Sequence, residues 1–290
     1  MRKISDAELV ERIAAEHLPD PVRQRWLGLL RPGVRLVPAV GEATHVARLG
    51  GQPKLPTGEL WPTWTSQGPL SYIGEIFCEP LSAFPLDLAI PTSGRLLFFY
   101  FDGSYDDGVN TVGTWDAATL EGARALYVPT DVACSPQPTP DGISSYPERW
   151  YSGESVVTAP DWEHSDLREA FSEPGDDPGA FVEHPVAADA FAEALHERHT
   201  MPLHQIGGYA QPIQGPVEHE VAEAALENNV SYSDPLLARE ARRWALVLQI
   251  DSDDDLGMMW GDCGILYWMA RPEDLAAGDL RNVSFTWQCS

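Results

Sequence analysis

The N-terminal part of the chain has the hydrophobic spacing of two amphipathic helices. In the first, the apolar residues that fall on one helical face are Leu9, Val10, Ile13, Ala14 and Leu18. Ser5 and Glu8 form a capping box at its start. Asp20 is placed to cap the second helix with Pro21 at its first position, and the Arg-Pro-Gly sequence at 31–33 ends it. We expect this pair to pack on the body of the protein as an accessory layer.

Most other hydrophobic positions occur in short runs that are typical of β-strands, at 34–40, 70–77, 95–101, 123–128, 244–250, 264–269 and 282–289. The run at 95–101 is apolar after its first residue, which predicts a strand covered on both faces. Between 129 and 161 prolines are frequent and the pattern weakens, so we interpret this part as a long connection over the surface. Helices are predicted at 186–199 and 217–228, a loop at 173–179, and a helix cap at 233–235.

Three features of the first strand-rich part recur in the same order in the last part. A Gly-Gly pair followed by proline occurs at 50–56 and at 207–212. A β-prone run then follows at 71–76 and at 245–250, and a Gly-led aromatic run at 94–100 and at 264–269. The common order predicts two related β-rich halves, and its period is far longer than that of solenoid repeats.

The predicted fold class is therefore α+β. Two similar β-rich subdomains, produced by internal duplication, share one core, with the N-terminal helical pair and further helices at the periphery. The predicted segments are 1–33 (helical), 34–135 (first β-rich half), 136–203 (connection with helices) and 204–290 (second β-rich half), all within one globular unit. A chain of 290 residues is long enough to bury a substantial core.

Composition changes this picture through its charge. The chain has 44 acidic and 19 basic residues, which gives a formal net charge of −25. Such a surface repels the phosphates of nucleic acids and the headgroups of anionic membranes, so neither is expected as a partner. Two interpretations stay open: the charge serves only solubility, or it steers a basic partner protein to its binding surface.

A cytoplasmic location is also predicted. No apolar run approaches the ~20 residues that span a bilayer, and the N-terminus turns acidic without the hydrophobic region of a secretory signal. The four cysteines are expected to stay reduced in that compartment. None belongs to a Cys-x-x-Cys pair, so zinc and thioredoxin-like signatures are absent from the sequence.

The acidic run that follows residue 250 has the alternating carboxylates of a calcium loop. Asp251, Asp253 and Asp255 alternate, and Asp262 stands at the twelfth position. However, the glycine falls one place late, an aspartate replaces the usual glutamate, and the flanks are strand-like. The alternative is a solvated acidic hairpin whose like charges discourage edge pairing. No metal or other cofactor is predicted, and these four carboxylates are kept as candidates.

No catalytic constellation is recognisable. The nucleophile elbow, the Walker A loop and the dinucleotide fingerprint are all absent, and Cys263 follows a carboxylate, which disfavours its thiolate form. His196 and His199 lie one helical turn apart, which suits either a shared ligand or the exposed end of a helix. The residues that could line a cleft between the halves, or else serve as core or surface, are Trp61, His204, Tyr209, Gln214, Trp260 and Asp262.

Several separated motifs resemble the YwqG-like family of bacterial proteins of unknown function. They are Gly50-Gly51-Gln52-Pro53 through Trp61-Pro62, the segments 204–214 and 249–264, and the closing Phe285-Thr286-Trp287-Gln288-Cys289. The resemblance covers roughly residues 34–289 and implies a single α+β globule of two similar β-rich subdomains. It carries no established catalytic residues. The toxin–immunity neighbourhoods of some relatives imply a protein-binding role.

Acidity and the lack of a catalytic constellation together favour one functional hypothesis. It is a cytoplasmic, non-enzymatic module that binds a basic protein, as an immunity or regulatory partner would. The alternative is an enzyme or small-ligand-binding protein with a cleft between the two halves, where pockets commonly form.

Overall fold

The computed structural model describes residues 4–172, 178–232 and 234–290. Its strands are, in chain order, β1 (Arg31–Pro38), β2 (Ala47–Leu49), β3 (Lys54–Pro56), β4 (Thr63–Trp64), β5 (Gly68–Pro69), β6 (Ser71–Phe77), β7 (Arg95–Tyr100), β8 (Ala123–Val128), β9 (Cys134–Pro136), β10 (Arg149–Thr158), β11 (Gln205–Ile206), β12 (Ala245–Asp251), β13 (Ile265–Ala270) and β14 (Ser284–Gln288). Its α-helices are α1 (Asp6–His17), α2 (Asp20–Leu27), α3 (Cys78–Leu81), α4 (Ser165–Phe171), α5 (Asp189–Glu197), α6 (Val217–Ala225), α7 (Pro235–Ala241) and α8 (Pro272–Ala276). Short 3₁₀ turns cover Ala117–Gly122, Pro178–Glu183, Pro185–Ala187 and Asp254–Leu256.

Ten of the strands form one sheet in the order β14-β13-β12-β11-β1-β10-β2-β6-β7-β8. Every neighbouring pair in it is antiparallel. The sheet is nearly closed, because strands near its two ends meet across the interior. The ring of Phe98 on β7 lies 5.3 Å from Trp268 on β13, and Tyr100 lies 4.9 Å from Phe285 on β14. One hydrophobic core with residues from both parts of the chain fills this space. The mixed helix-and-sheet class is confirmed.

The helices cover the outside of the sheet with two further apolar clusters. Val221 of α6 and Leu237 of α7 pack with Tyr267 on β13. The rings of Trp26 on α2 and Phe191 on α5 lie 5.0 Å apart in a cluster that includes α1. None of the described helices is long and apolar enough to cross a membrane.

The two N-terminal helices are confirmed, with one correction at the second. α1 begins with the expected capping box, in which the Glu8 N–H donates to Ser5 Oγ at 3.2 Å and the Ser5 N–H donates to Glu8 Oε2 at 2.8 Å. At α2 the cap prediction was wrong: Pro19 is the N-cap and Asp20 is already the first helical residue. The helix ends at Leu27, and the Arg-Pro-Gly sequence at 31–33 begins β1 instead.

The prediction of a surface connection between 129 and 161 was wrong, because this segment contains β10, the longest strand described. β10 lies in the middle of the sheet and pairs along β1 from Tyr151 to Thr158. Those two residues are the only buried members of β10. The strand is therefore held by backbone pairing more than by apolar side chains, and a hydrophobic pattern does not reveal it.

The pair β1–β10 divides the sheet into two sets of five strands, and we call this pair the seam. Beyond β10 lie β2, β6, β7 and β8; beyond β1 lie β11, β12, β13 and β14. In each set a Gly-Gly pair with positive φ follows the short inner strand, at 50–51 and at 207–208. In each set the next pair of strands also has a register shift, between Tyr72 and Gly74 and between Leu246 and Leu248. The segment boundaries stay a prediction.

The remaining helix predictions differ from the structure at their ends. The helix expected at 186–199 is a 3₁₀ turn followed by α5, and the helix expected at 217–228 is the shorter α6. Asp234 caps α7, and its side chain accepts from the Leu236 N–H at 2.8 Å. The loop predicted at 173–179 lies largely outside the described residues, as does Ser233.

Candidate functional site

The acidic segment after β12 joins a buried polar network at the seam. His204 precedes β11, and the pairing of β11 with β12 brings it beside the end of that strand. His204 Nε2 lies 3.2 Å from Asp253 Oδ2, and the Tyr151 hydroxyl on β10 donates to the same oxygen at 3.3 Å. The Asp251 N–H donates to His204 Nδ1 at 3.1 Å. In this geometry Nδ1 accepts the backbone N–H, and Nε2 is the nitrogen that donates to Asp253.

This network is closed to solvent. His204 is 0% exposed, and both of its ring nitrogens are hydrogen-bonded. The hydrogen bond from His204 lowers the pKa of Asp253, whereas burial raises the pKa of Asp251. Asp251 accepts the Leu203 N–H at 2.7 Å. These hydrogen bonds connect β10 with the segments at the start of β11 and the end of β12. The polar atoms that form them bond to other atoms of the protein.

The four candidate metal ligands have different environments. Asp251 and Asp253 belong to the buried network, whereas Asp255 Oδ2 accepts from Arg149 Nη1 at 2.7 Å near the surface. Asp262 is exposed, and its carbonyl accepts from the Ser290 N–H at 3.2 Å. Among the residues that the structure describes, no group of three or more His, Cys, Asp or Glu side chains is placed to hold a metal ion.

The six residues predicted to line a cleft are also dispersed over different environments. His204, Tyr209 and Trp260 are buried, Trp61 is half-buried, and Gln214 and Asp262 are exposed. None of the six lines the cleft of about 690 Å³ that lies over the seam. Gln214 lines a smaller cavity of about 310 Å³ beside α6.

An exposed surface is formed where the loops 102–116, 141–146 and 251–263 meet at one end of the sheet. The Tyr146 hydroxyl donates to Asp102 Oδ2 at 2.5 Å, and the Tyr146 ring lies 5.8 Å from Trp260. Trp287 on β14 donates from Nε1 to the Val112 carbonyl at 2.8 Å. These contacts connect segments that are 44 to 175 residues apart in the chain. We call their exposed side the acidic loop surface.

The acidic loop surface combines carboxylates with large apolar side chains. Its exposed apolar residues are Tyr105 (47%), Val109 (80%), Trp115 (63%) and Met259 (50%). Its exposed carboxylates are Asp107, Asp116, Asp141, Asp254, Asp255 and Asp262. The segments 102–116 and 251–263 contain no Lys, Arg or His. Exposed Trp, Tyr and Met side chains are typical of the centres of protein-binding surfaces.

Sequence reasoning did not single out the apolar part of this surface. The Gly- and Asp-rich sequence at 102–108 is typical of a turn, and Val109, Trp115 and Met259 are not among the predicted cleft residues. A signal was present, because these large apolar residues stand in Gly- and Asp-rich segments without a periodic pattern that would bury them.

Comparison with known proteins places the chain in a family without an assigned activity. Residues 47–289 match the model of the domain of unknown function DUF1963, so the chain belongs to that family. No curated protein matches it. The expected membership of a family of unknown function is confirmed at this level, and the narrower YwqG-like name stays a prediction.

Proposed function

We propose that this protein is an interaction module that binds a basic protein through the acidic loop surface. The observation that supports the proposal is the combination of exposed Trp115, Tyr105 and Met259 with exposed carboxylates in segments that lack any basic residue. Large apolar side chains of this kind are expected to be buried when they serve only the fold.

The two components of the surface have separate physical roles. Tyr and Trp bury a large area at a small cost in side-chain entropy, so they provide most of the affinity when a partner covers them. The surrounding carboxylates select a partner that presents Lys or Arg. Together with the net charge of −25, they raise the rate at which such a partner associates. A partner with an apolar groove and a basic rim fits both requirements.

The test compares Trp115→Ala with Trp150→Ala on the immobilised protein. Trp150 is a matched control, because it is also an exposed Trp (37%) and belongs to β10, outside the acidic loop surface. Loss of a central Trp should lower the affinity for a basic partner tenfold or more, since such residues contribute about 2 kcal/mol or more at interfaces. Binding is measured by surface plasmon resonance on the proteins that wild type retains from lysate at physiological salt.

The control variant should bind the same partner with wild-type affinity. Equal losses in both variants, equal binding by both, or a retained set without basic proteins would contradict the proposal.

We further propose the finer features of the predicted architecture. The halves are proposed to derive from an internal duplication, supported by the matching order of short strand, Gly-Gly pair and three strands on each side of the seam. The YwqG-like assignment is supported by the motifs at 50–62 and 204–214. The lack of nucleic-acid binding is supported by the net charge and remains a proposal, and the cytoplasmic location stays a prediction from the sequence.

A further inference from the structure

A cleft of about 690 Å³ lies over the seam, where the two sets of strands meet. Its sides are formed by β1, β10, the start of α1 and the segment 198–202 that follows α5. This volume is within the range of about 300–1,000 Å³ that is typical of small-molecule sites. We call it the seam cleft.

A buried guanidinium lies in the wall of the seam cleft. Arg35 on β1 is 7% exposed. Its Nη2 lies 2.8 Å from His199 Nδ1, and its Nη1 reaches the Thr200 carbonyl at only 3.4 Å. Its Nε is buried without a hydrogen-bond partner. Among the described residues no carboxylate forms an ion pair with Arg35, although a buried charge is normally paired.

The neighbour of Arg35 does not supply the missing negative charge. Burial, followed by the charges of Arg198 and Arg35, lowers the pKa of His199 to about 3, so this ring is neutral and accepts from Arg35 through Nδ1. His199 therefore orients the guanidinium without compensating its charge. His199 lies beyond the end of α5 and faces Arg35, so neither predicted alternative describes it, whereas His196 is exposed in the last turn of α5 as the second alternative expects.

The other charges of the seam cleft have partners or lie at its mouth. Arg198 Nη1 pairs with Asp6 Oδ1 at 2.7 Å, and Asp6 Oδ2 accepts from the Val157 N–H at 2.7 Å. Glu154 stands opposite Arg35 in the register of β1 and β10, and it is exposed. Burial and Arg198 together lower the pKa of Arg35, although Asp6 and Glu154 oppose that shift. The lining thus balances two arginines with two carboxylates, but neither carboxylate forms an ion pair with Arg35.

The rest of the lining is largely apolar. Val37 and Pro38 come from β1, and Met201 and Pro202 come from the segment after α5. We propose that the seam cleft binds a small organic anion, whose carboxylate or phosphate pairs with Arg35 and whose apolar part packs against Pro38 and Met201. This site is separate from the acidic loop surface and prefers ligands of the opposite charge.

The test follows the methyl signals of the five methionines, labelled with ¹³C, by NMR. Met201 lines the seam cleft, whereas Met259 belongs to the acidic loop surface. The probes are octanoate, octyl phosphate and octanol, which share one chain and differ in the headgroup. At least one anion should shift the methyl signal of Met201 to saturation and leave the signal of Met259 unchanged. Octanol should bind at least tenfold more weakly than that anion. The tighter of the two anions identifies the headgroup.

The matched variants are Arg35→Gln and Arg281→Gln, which remove the same charge. The side chain of Arg281 is 87% exposed and pairs with Asp279. R35Q should lower the affinity for the anion at least tenfold, because a charge-assisted hydrogen bond is lost. R281Q should leave that affinity unchanged. Equal binding of octanol and the anions, absence of a Met201 shift, or full binding by R35Q would each overturn the proposal. The octanol comparison uses the wild-type protein, so it decides the question even if R35Q does not fold.

Discussion

At the scale of single residues, the Gly-Gly pair at 50–51 meets a requirement of the backbone. Gly50 has a φ of 64°, and a Cβ built on it would lie 2.1 Å from the Pro147 carbonyl oxygen. Gly257 has nearly the same φ of 62°, yet a Cβ there would meet nothing within 4 Å. Substitutions at the two positions can therefore distinguish the free-energy cost of the left-handed conformation from the cost of a clash with the backbone.

We predict that Gly50→Ala is much more destabilising than Gly257→Ala. The second substitution costs only the left-handed conformation of a non-glycine residue, about 1–2 kcal/mol. The first adds a displacement of the segment around Pro147 and should cost roughly 3 kcal/mol or more in total, which is in the range of severe backbone effects. Urea unfolding of both variants measures the difference, and equal losses would show that the segment moves freely.

A second requirement at this scale is a buried ion-pair network on β2, β6 and β7. Glu75 is 3% exposed. Its Oε1 pairs with Arg48 Nη2 and its Oε2 with Arg95 Nη1, each at 2.7 Å. Arg48 is itself buried, and its charge is compensated by Glu75 together with the more exposed Glu148.

Glu75→Gln should therefore destabilise the protein by about 3–5 kcal/mol, because it leaves two guanidiniums facing an uncharged amide. The measurement is the free energy of unfolding at neutral pH. Asp279→Asn breaks the exposed pair with Arg281 and should change little, since water compensates both charges. A small effect of E75Q would mean that Glu148, which also pairs with Arg48 at 2.7 Å, carries the network alone.

At the scale of elements, equivalent strand pairs carry buried polar residues on both sides of the seam. Arg48 of β2 stands opposite Glu75 of β6, and Gln205 of β11 stands opposite Gln249 of β12. The amide pair works through the backbone: Gln205 donates from Nε2 to the carbonyls of Gly207 and Tyr209, each at 2.9 Å. One side of the seam thus has a buried ion pair at this position, and the other side has an amide pair that is hydrogen-bonded to the backbone of the Gly-Gly turn.

The contact between α4 and α6 has a histidine at its centre. His219 Nε2 lies 2.6 Å from Ser165 Oγ, and its Nδ1 is buried without a partner. Burial, with a smaller contribution from His164, lowers the pKa of His219 to about 4. The imidazole therefore stays neutral in the folded protein at a pH where the unfolded chain takes up a proton.

This predicts a loss of stability on mild acidification. The contribution of His219 is fully present above the unfolded pKa of about 6.5 and is lost as the pH falls towards 4, which amounts to about 2 kcal/mol between pH 7 and pH 5. His219→Gln should remove this part of the pH dependence of the unfolding free energy, measured by urea unfolding at several pH values. The same substitution at the exposed His196 should leave it. Carboxylates with raised pKa, such as Glu163 and Glu220, act in the opposite direction but are present in both proteins. An unchanged slope in H219Q would contradict the prediction.

At the scale of the whole molecule, closure of the sheet determines where the two candidate surfaces lie. The loops 102–116 and 251–263 follow strands on opposite sides of the seam. Closure of the sheet brings both to Tyr146, which donates to Asp102 and packs against Trp260. The seam cleft depends on β10, whose pairing with β1 joins residues far apart in the chain. The result is an acidic surface at the end of the sheet and a cleft with the buried Arg35 over its centre.

Much of the fold was predictable from the sequence, but little of the two sites was. β6, β7, β8, β12 and β13 were found because their apolar runs are local signals. The candidate cleft residues were chosen for their chemistry, and such residues are as useful in a core as in a site: Trp260 is 3% exposed, and His204 is fully buried. Arg35 was not chosen, because a single basic residue within a strand pattern has no local sign that its charge is uncompensated.

The sequence by itself determined the caps of α1 and α7, most strand-forming runs, the Gly-Gly turns and the negative charge, since each depends on a few neighbouring residues or on composition alone. Only the tertiary structure decided that β10 is central, that His204 is closed to solvent, and that Trp115 is exposed beside carboxylates. These features depend on strand pairing and sheet closure, which bring together segments that are distant in the chain, and no local pattern specifies which segments will meet.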